Sequence, residues 1–294
     1  MCCGSEGERA PGGRCCDERS GRAGGFTLVL KMFGGLPIVN DVIKRLRLPE
    51  LLANALPGVD GRAKLAPAVL IRLVITNLIL GREPLYGLGE WAARFEPTLL
   101  GLGVDEVQAV NDDRGGRAMV ALFDADRGRL LTAVVLRAIS EFAVDTSQMH
   151  HDSTSINVQG LYRDADGTPQ GGKATPVITF GHSKDHRLDL KQLVWILTVS
   201  NDGAVPMAYR LADGNTSDNP THVPTWDGLA DLLGRTDFLY VADSKLCSRQ
   251  AMDHIDGRGG RFVTVLPRSR SEDKVLSVSS LLCKWGWSLV IGIG

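Results

Sequence analysis

Near residue 146 the chain changes texture, and that change limits its fold more than any other feature. Upstream, apolar residues recur at the helical period. Downstream, they alternate or run in short blocks, as strands do. Ile38, Val42, Ile43, Leu46 and Leu48 keep a helical spacing, and Pro49 stops that helix or starts the next one, over 50–56. Residues 67–80 are apolar except for Arg72, Thr76 and Asn77, which predicts a helix buried on most sides with Gly81 as its C-cap. A short helix is expected over 88–95, before Pro97. Asn111, Asp112 and Asp113 offer N-caps for a helix from Arg114, and Asp124 offers one for the long helix ending at Phe142.

The second half reads as strands over 147–158, 190–200, 205–212, 237–242 and 261–266, with helices over 221–233 and 248–256. The run at 190–200, LKQLVWILTVS, is apolar enough for the interior of a sheet, and Asn201, Asp202 and Gly203 mark a hairpin turn after it. A three-stranded meander followed by helix, strand, helix, strand is the order of the ribonuclease-H-like fold. A doubly wound sheet would want helices between the first three strands. The predicted fold class is therefore α+β, an all-α N-terminal domain followed by a mixed β-sheet core with helices. The expected domains are a disordered leader at 1–27, a helical domain at 28–145 and the sheet domain at 146–273. An aberrant tail at 274–294 continues no earlier pattern.

Composition narrows the function classes little. Hydrophobic residues make up 44% and charged residues 23%, a normal globular balance, and the net charge is −1. That sum leaves a polyanion partner open, because the local field counts for more than the total. Cys2, Cys3, Cys15 and Cys16 stand as adjacent pairs in the glycine-rich leader, without the spacing of a zinc knuckle. Cys247 and Cys283 are the other two, and so few in the body suits a reducing cytosol. No signal peptide or membrane-spanning run is visible.

Two carboxylates stand out by position. Asp152 lies within the first strand, in HDSTS at 151–155, and Asp243 ends the fourth, in VADSKLC at 241–247. Neighbouring first and fourth strands would set them about 4.8 Å apart across one strand spacing. Like charges that close call for a cation, and Mg²⁺ suits hard oxygen ligands and phosphate substrates. The plainer reading is that both acids cap strands or bind nearby backbone. His150 and His151 are adjacent and so point to opposite sheet faces. The loop GHSKDHRLDLK at 181–191 brings Lys184, Arg187 and Lys191 near the paired acids, which suits a phosphate backbone or an ordinary solvated loop equally. Gly171, Gly172 and Lys173 only weakly echo a phosphate loop, and no nucleophile elbow is present.

Taken together, GREPLYGLGEW at 81–91, NDDR at 111–114, HDSTS at 151–155, FGHSKDHR at 180–187, DGNTSD at 213–218 and VADSKLC at 241–247 resemble a known family. The chain is similar, over about 36–273, to bacterial DDE-type transposases of insertion-sequence superfamily four. The resemblance implies a helical domain that helps bind the element's ends and a ribonuclease-H-like domain that cuts and rejoins DNA with Mg²⁺ or Mn²⁺. It implies Asp152 and Asp243 as the first two catalytic, metal-binding acids. It assigns double-stranded DNA as partner, with contacts from Lys184, Arg187 and Lys191. A homodimer in a synaptic complex and a cytoplasmic, nucleoid-associated place in a bacterium follow as well. Asn215 and Asp218 fall in the glycine-asparagine motif before the second acid and either shape the site or make a turn.

The departure is at the third acid. The family carries it as a Glu on a late helix, within a Tyr, Arg, Glu, Lys signature. Nothing after Asp243 has that signature, and Glu272 is the only Glu there, directly beyond the last strand. The expectation is a C-terminally truncated, catalytically incomplete transposase with one side of its sheet exposed. The competing readings are a smaller ribonuclease-H-like nuclease using Glu272 or Asp273, and a DNA-binding module confined to 36–145.

Overall fold

The computed structural model describes residues 22–23, 26–27, 30–58, 64–183, 186–267 and 289–291. In the expected leader, Arg22–Ala23 pairs antiparallel with Phe26–Thr27. The cysteine pairs of the leader, Lys184, Glu272 and most of the tail lie outside the described residues.

The chain divides into two compact units, Met1–Ile43 with Leu56–Ala121, and Lys44–Ala55 with Leu122–Gly294. The helices are α1 (Leu36–Arg45), α2 (Leu48–Ala55), α3 (Pro67–Leu80), α4 (Leu88–Ala93), α5 (Asp112–Asp124) and α6 (Arg127–Phe142). In the first unit, Pro67 opens α3 at a position where its missing N–H costs nothing. Gly81 closes the helix through its N–H to Asn77 O at 2.8 Å. The buried Asn77 then holds the following turn, donating to Glu83 O at 2.7 Å and accepting from Glu83 N at 3.2 Å. Leu70, Ile71, Leu73 and Val74 are buried, but Leu78 and Ile79 are exposed, so the last turn of α3 is less enclosed than its composition suggests. Asn111 caps α5, its Oδ1 accepting from Arg114 N at 2.9 Å. The cap of α6 is Asp126 and not Asp124. Asp126 Oδ1 accepts from Arg129 N at 3.0 Å, whereas Asp124 is still the last residue of α5.

In the second unit the strands are β1 (Gln148–Val158), β2 (Lys191–Ser200), β3 (Pro206–Ala212), β4 (Leu239–Ala242), β5 (Arg261–Val265) and β6 (Leu289–Ile291). Helix α7 (His222–Leu233) joins β3 to β4, and α8 (Arg249–Asp256) joins β4 to β5. The sheet order is β3-β2-β1-β4-β5-β6. Both meander pairs are antiparallel, β1 with β4 and β4 with β5 are parallel, and β6 returns antiparallel from the tail. This is the ribonuclease-H-like topology, and the fold is α+β. The hairpin after β2 is longer than a two-residue turn. Ser200 N donates to Val205 O at 2.9 Å, and Gly203 and Ala204 take positive φ between them.

One face of the sheet carries the core. Met149, Met207, Tyr240, Ala242 and Phe262 pack with Trp226 and Leu229 of α7 and Ala251 and Ile255 of α8. Val135 of α6 joins them, flanked by Leu131 and Ile139 on the same helical stripe. Contacts thus place α6 in the unit of the sheet, because its apolar stripe is buried there, while the sequence groups it with the preceding helices. The other sheet face carries Leu193, Trp195, Leu197 and Val199, half-buried, and exposed Ile156, Tyr209, Leu211 and Val265.

A candidate acidic site on two neighbouring parallel strands

The register of β1 on β4 runs from Gln148 against Leu239 to His151 against Ala242. One further step brings Asp152 level with Asp243, both on the exposed face and both solvent-accessible. Asp152 Oδ1 accepts from Ser153 N at 2.7 Å. Asp243 Oδ1 accepts from Lys245 N at 2.9 Å and caps the short turn Ser244–Leu246. Its main-chain oxygen accepts from Thr264 Oγ1 at 2.5 Å, which fixes the end of β4 to β5. The local backbone bonds are those of the plainer reading of these acids. Both residues are also exposed to solvent.

Beneath the pair, on the core face, lies a buried polar cluster. His151 Nδ1 is 3.0 Å from Thr198 Oγ1, and the His151 and His222 rings are 5.0 Å apart. His222 Nδ1 is 3.4 Å from Tyr240 OH, and His222 Nε2 is buried without a hydrogen-bond partner. Burial holds the His222 imidazole below its ordinary pKa, partly opposed by the negative charges of Asp243 and Asp218. Burial first, and then Asp243, pushes the Tyr240 phenol upward. Asp218, just before α7, accepts from Ser153 Oγ at 2.5 Å. His150 sits on the opposite face, between Gln148 and Asn201.

Of the predicted basic residues, Lys184 lies outside the described residues, and Lys191 and Arg187 are engaged locally. Lys191 pairs with Val158 in the sheet, six residues along β1 from Asp152, or roughly 20 Å. Its ammonium donates to Leu161 O at 2.5 Å. Arg187 makes two bonds of 2.8 Å to Asp189, which raises its pKa. Both heads are exposed, but each is engaged with its own loop. Lys173 is no phosphate ligand in this arrangement, because it donates to Phe123, Asp124 and Ala125 carbonyls at 2.9, 2.6 and 2.6 Å.

The DGNTSD motif divides between two roles. Asp213 accepts from Val177 N at 2.8 Å, and Gln192 Nε2 donates to Gly214 O at 2.7 Å. A Cβ on Gly214 would overlap the carbonyls of Gln192 and Thr179, so only glycine fits this crossing. Asn215 is exposed, and Asp218 reaches the site through Ser153. Neither Ser153 nor His222 carries a sequence signal of its own. Among the described residues no three His, Cys, Asp or Glu side chains are arranged to hold a metal, and no helix is long and apolar enough to cross a membrane.

Residues 29–136 match the profile of DUF4277, a domain of unknown function. No curated protein matches the chain. Among solved structures, the chain is similar to a piggyBac transposase synaptic complex with hairpin DNA, at 8% identity and a TM-score of 0.44. That alignment covers 83% of this chain and 52% of the other, so the chain spans about half the length of that transposase. A Mos1 transposase paired-end complex with the left transposon end aligns at 14% identity and a TM-score of 0.27, covering 77% and 68%. A Mos1 mariner paired-end complex with Mn aligns at 13% and 0.26, covering 86% and 75%. None reaches a TM-score of 0.5, and the fold assignment rests on strand order and register.

Proposed function

We propose that this chain is a transposase-like protein of the DDE type, related to bacterial insertion-sequence superfamily four. In this reading Asp152 and Asp243 hold Mg²⁺ or Mn²⁺ for cutting and rejoining the DNA ends of its element. The observation that supports the reading is the register of β1 on β4, whose last pair, His151 with Ala242, stands one residue before each acid. Two carboxylates fit Mg²⁺, which keeps several waters and completes its shell with substrate phosphates. Such an ion would stabilise charge on the attacking and leaving oxygens of a phosphodiester displacement. The chain's own contribution is to hold the two acids side by side and to fix Asp243 through the Thr264 bond.

These residues offer two of the family's three acids, Asp152 and Asp243, and no Tyr, Arg, Glu, Lys signature after Asp243. In this reading these residues bind DNA and cation, and cut poorly without a third acid. Its partners are the element's terminal repeats, target DNA and a second copy in a synaptic complex, in the bacterial cytoplasm. Lys184, Arg187 and Lys191 are proposed phosphate contacts, with Arg187 exchanging Asp189 for phosphate. The test is a duplex carrying the sequences that flank the gene, incubated with the full chain and Mg²⁺ or Mn²⁺. Salt-sensitive binding without cleavage is expected. Cleavage lost in Asp152→Asn and Asp243→Asn would show that two acids suffice, and absence of DNA binding would remove the proposal.

A further inference from the structure

We propose that Asp218 is a positioning residue for the acidic pair, acting on Asp152 through Ser153. The inference rests on the reading of Asp152 and Asp243 as a cation site. The strand alternation puts Asp152 on the exposed face of β1 and Ser153 on the core face. Ser153 therefore holds a carboxylate on each side of the sheet. Its N–H donates to Asp152 Oδ1 at 2.7 Å, and its hydroxyl donates to Asp218 Oδ1 at 2.5 Å. At that length the second bond is at the short end for an O–H to oxygen hydrogen bond.

Asp218 is itself anchored. Its main-chain oxygen accepts from Thr221 N at 3.0 Å and from Thr221 Oγ1 at 2.6 Å, where α7 begins. Ser153 and Thr221 are both buried. The result is a continuous link from α7 through Thr221, Asp218 and Ser153 to Asp152. Groups of this kind, bonded to a ligand-bearing segment without touching the metal, typically change metal affinity by about 10- to 100-fold when removed. A sub-ångström shift of Asp152 is enough to spoil a two-carboxylate site.

The test uses the full chain and Mn²⁺ alone, with free Mn²⁺ read by electron paramagnetic resonance. Asp218→Ala and Ser153→Ala are expected to weaken Mn²⁺ binding roughly tenfold. Asp218→Asn keeps the acceptor and Ser153→Thr keeps the hydroxyl, so both are expected near the parent affinity. Parent affinity in Asp218→Ala overturns the proposal. So does an Asp218→Asn as weak as the alanine variant, since charge and not the bond would then be responsible. If the parent binds no Mn²⁺, or Asp152→Asn binds it unchanged, the cation reading fails by itself. Amide hydrogen exchange at Ser153 in the metal-free chain then decides the positioning role. It is expected to speed up in Asp218→Ala and to stay slow in Asp218→Asn, and equal exchange in all three overturns the proposal.

Discussion

Two carboxylates on neighbouring parallel strands repel one another, and each here accepts a main-chain N–H that offsets part of that cost. Replacing either acid by Asn keeps the acceptor and removes the repulsion. Asp152→Asn and Asp243→Asn are therefore expected to melt at the parent temperature or a few degrees above it, measured by calorimetry, while losing Mn²⁺. A melting point lowered as for a core lesion would mark them as structural. His222 gives a pH dependence. Its folded pKa lies below the ordinary value of 6.5, so the unfolded chain takes the proton first as pH falls. Stability from this group is complete above that value and declines as pH drops through it. Melting curves from pH 7.5 to 5 are expected to show the decline, and His222→Gln to flatten it. The strand positions of Asp152 and Asp243 were legible, because β1 alternates and Asp243 ends the apolar block of β4. The cluster of His151, His222 and Tyr240 was not, since the three approach only after β4 and α7 dock on β1.

At the scale of elements, strands β1 to β5 and helices α7 and α8 follow from alternation and helical period. The boundaries come from local chemistry, as at Ser248, whose side chain accepts from Ala251 N to start α8. The connection between β1 and β2 was illegible, because it has no period and its folding depends on distant partners. Gly214 is one of these, pressed against carbonyls of Gln192 and Thr179. Gly214→Ala is expected to cost about 2 kcal/mol or more in urea unfolding, with α7 and the acidic site the first parts disturbed. An unchanged midpoint would mean that the crossing opens freely. Lys173 closes the same connection by satisfying three carbonyls beyond α5. Lys173→Met leaves them to water and is expected to cost roughly 1–3 kcal/mol in the same assay.

For the whole molecule, the balance of a one-sided sheet matters most. Its core face is filled by α6, α7 and α8, while Ile156, Tyr209, Leu211 and Val265 remain exposed on the other. Apolar surface of that kind drives association. The protein is expected to aggregate above micromolar concentration, and Leu211→Lys with Val265→Lys to raise the soluble limit in light scattering without lowering the melting point. In the proposed function one cation sits beside both Asp152 and Asp243. The most direct measurement loads the metal-free chain with Fe²⁺ in place of Mg²⁺ and adds ascorbate and peroxide, so that radicals cut the backbone next to the bound ion. The predicted result is two cuts, one in β1 near Asp152 and one at the end of β4 near Asp243, both absent in either Asn variant. Diffuse cutting, or cuts that persist in Asp152→Asn and Asp243→Asn, would contradict it.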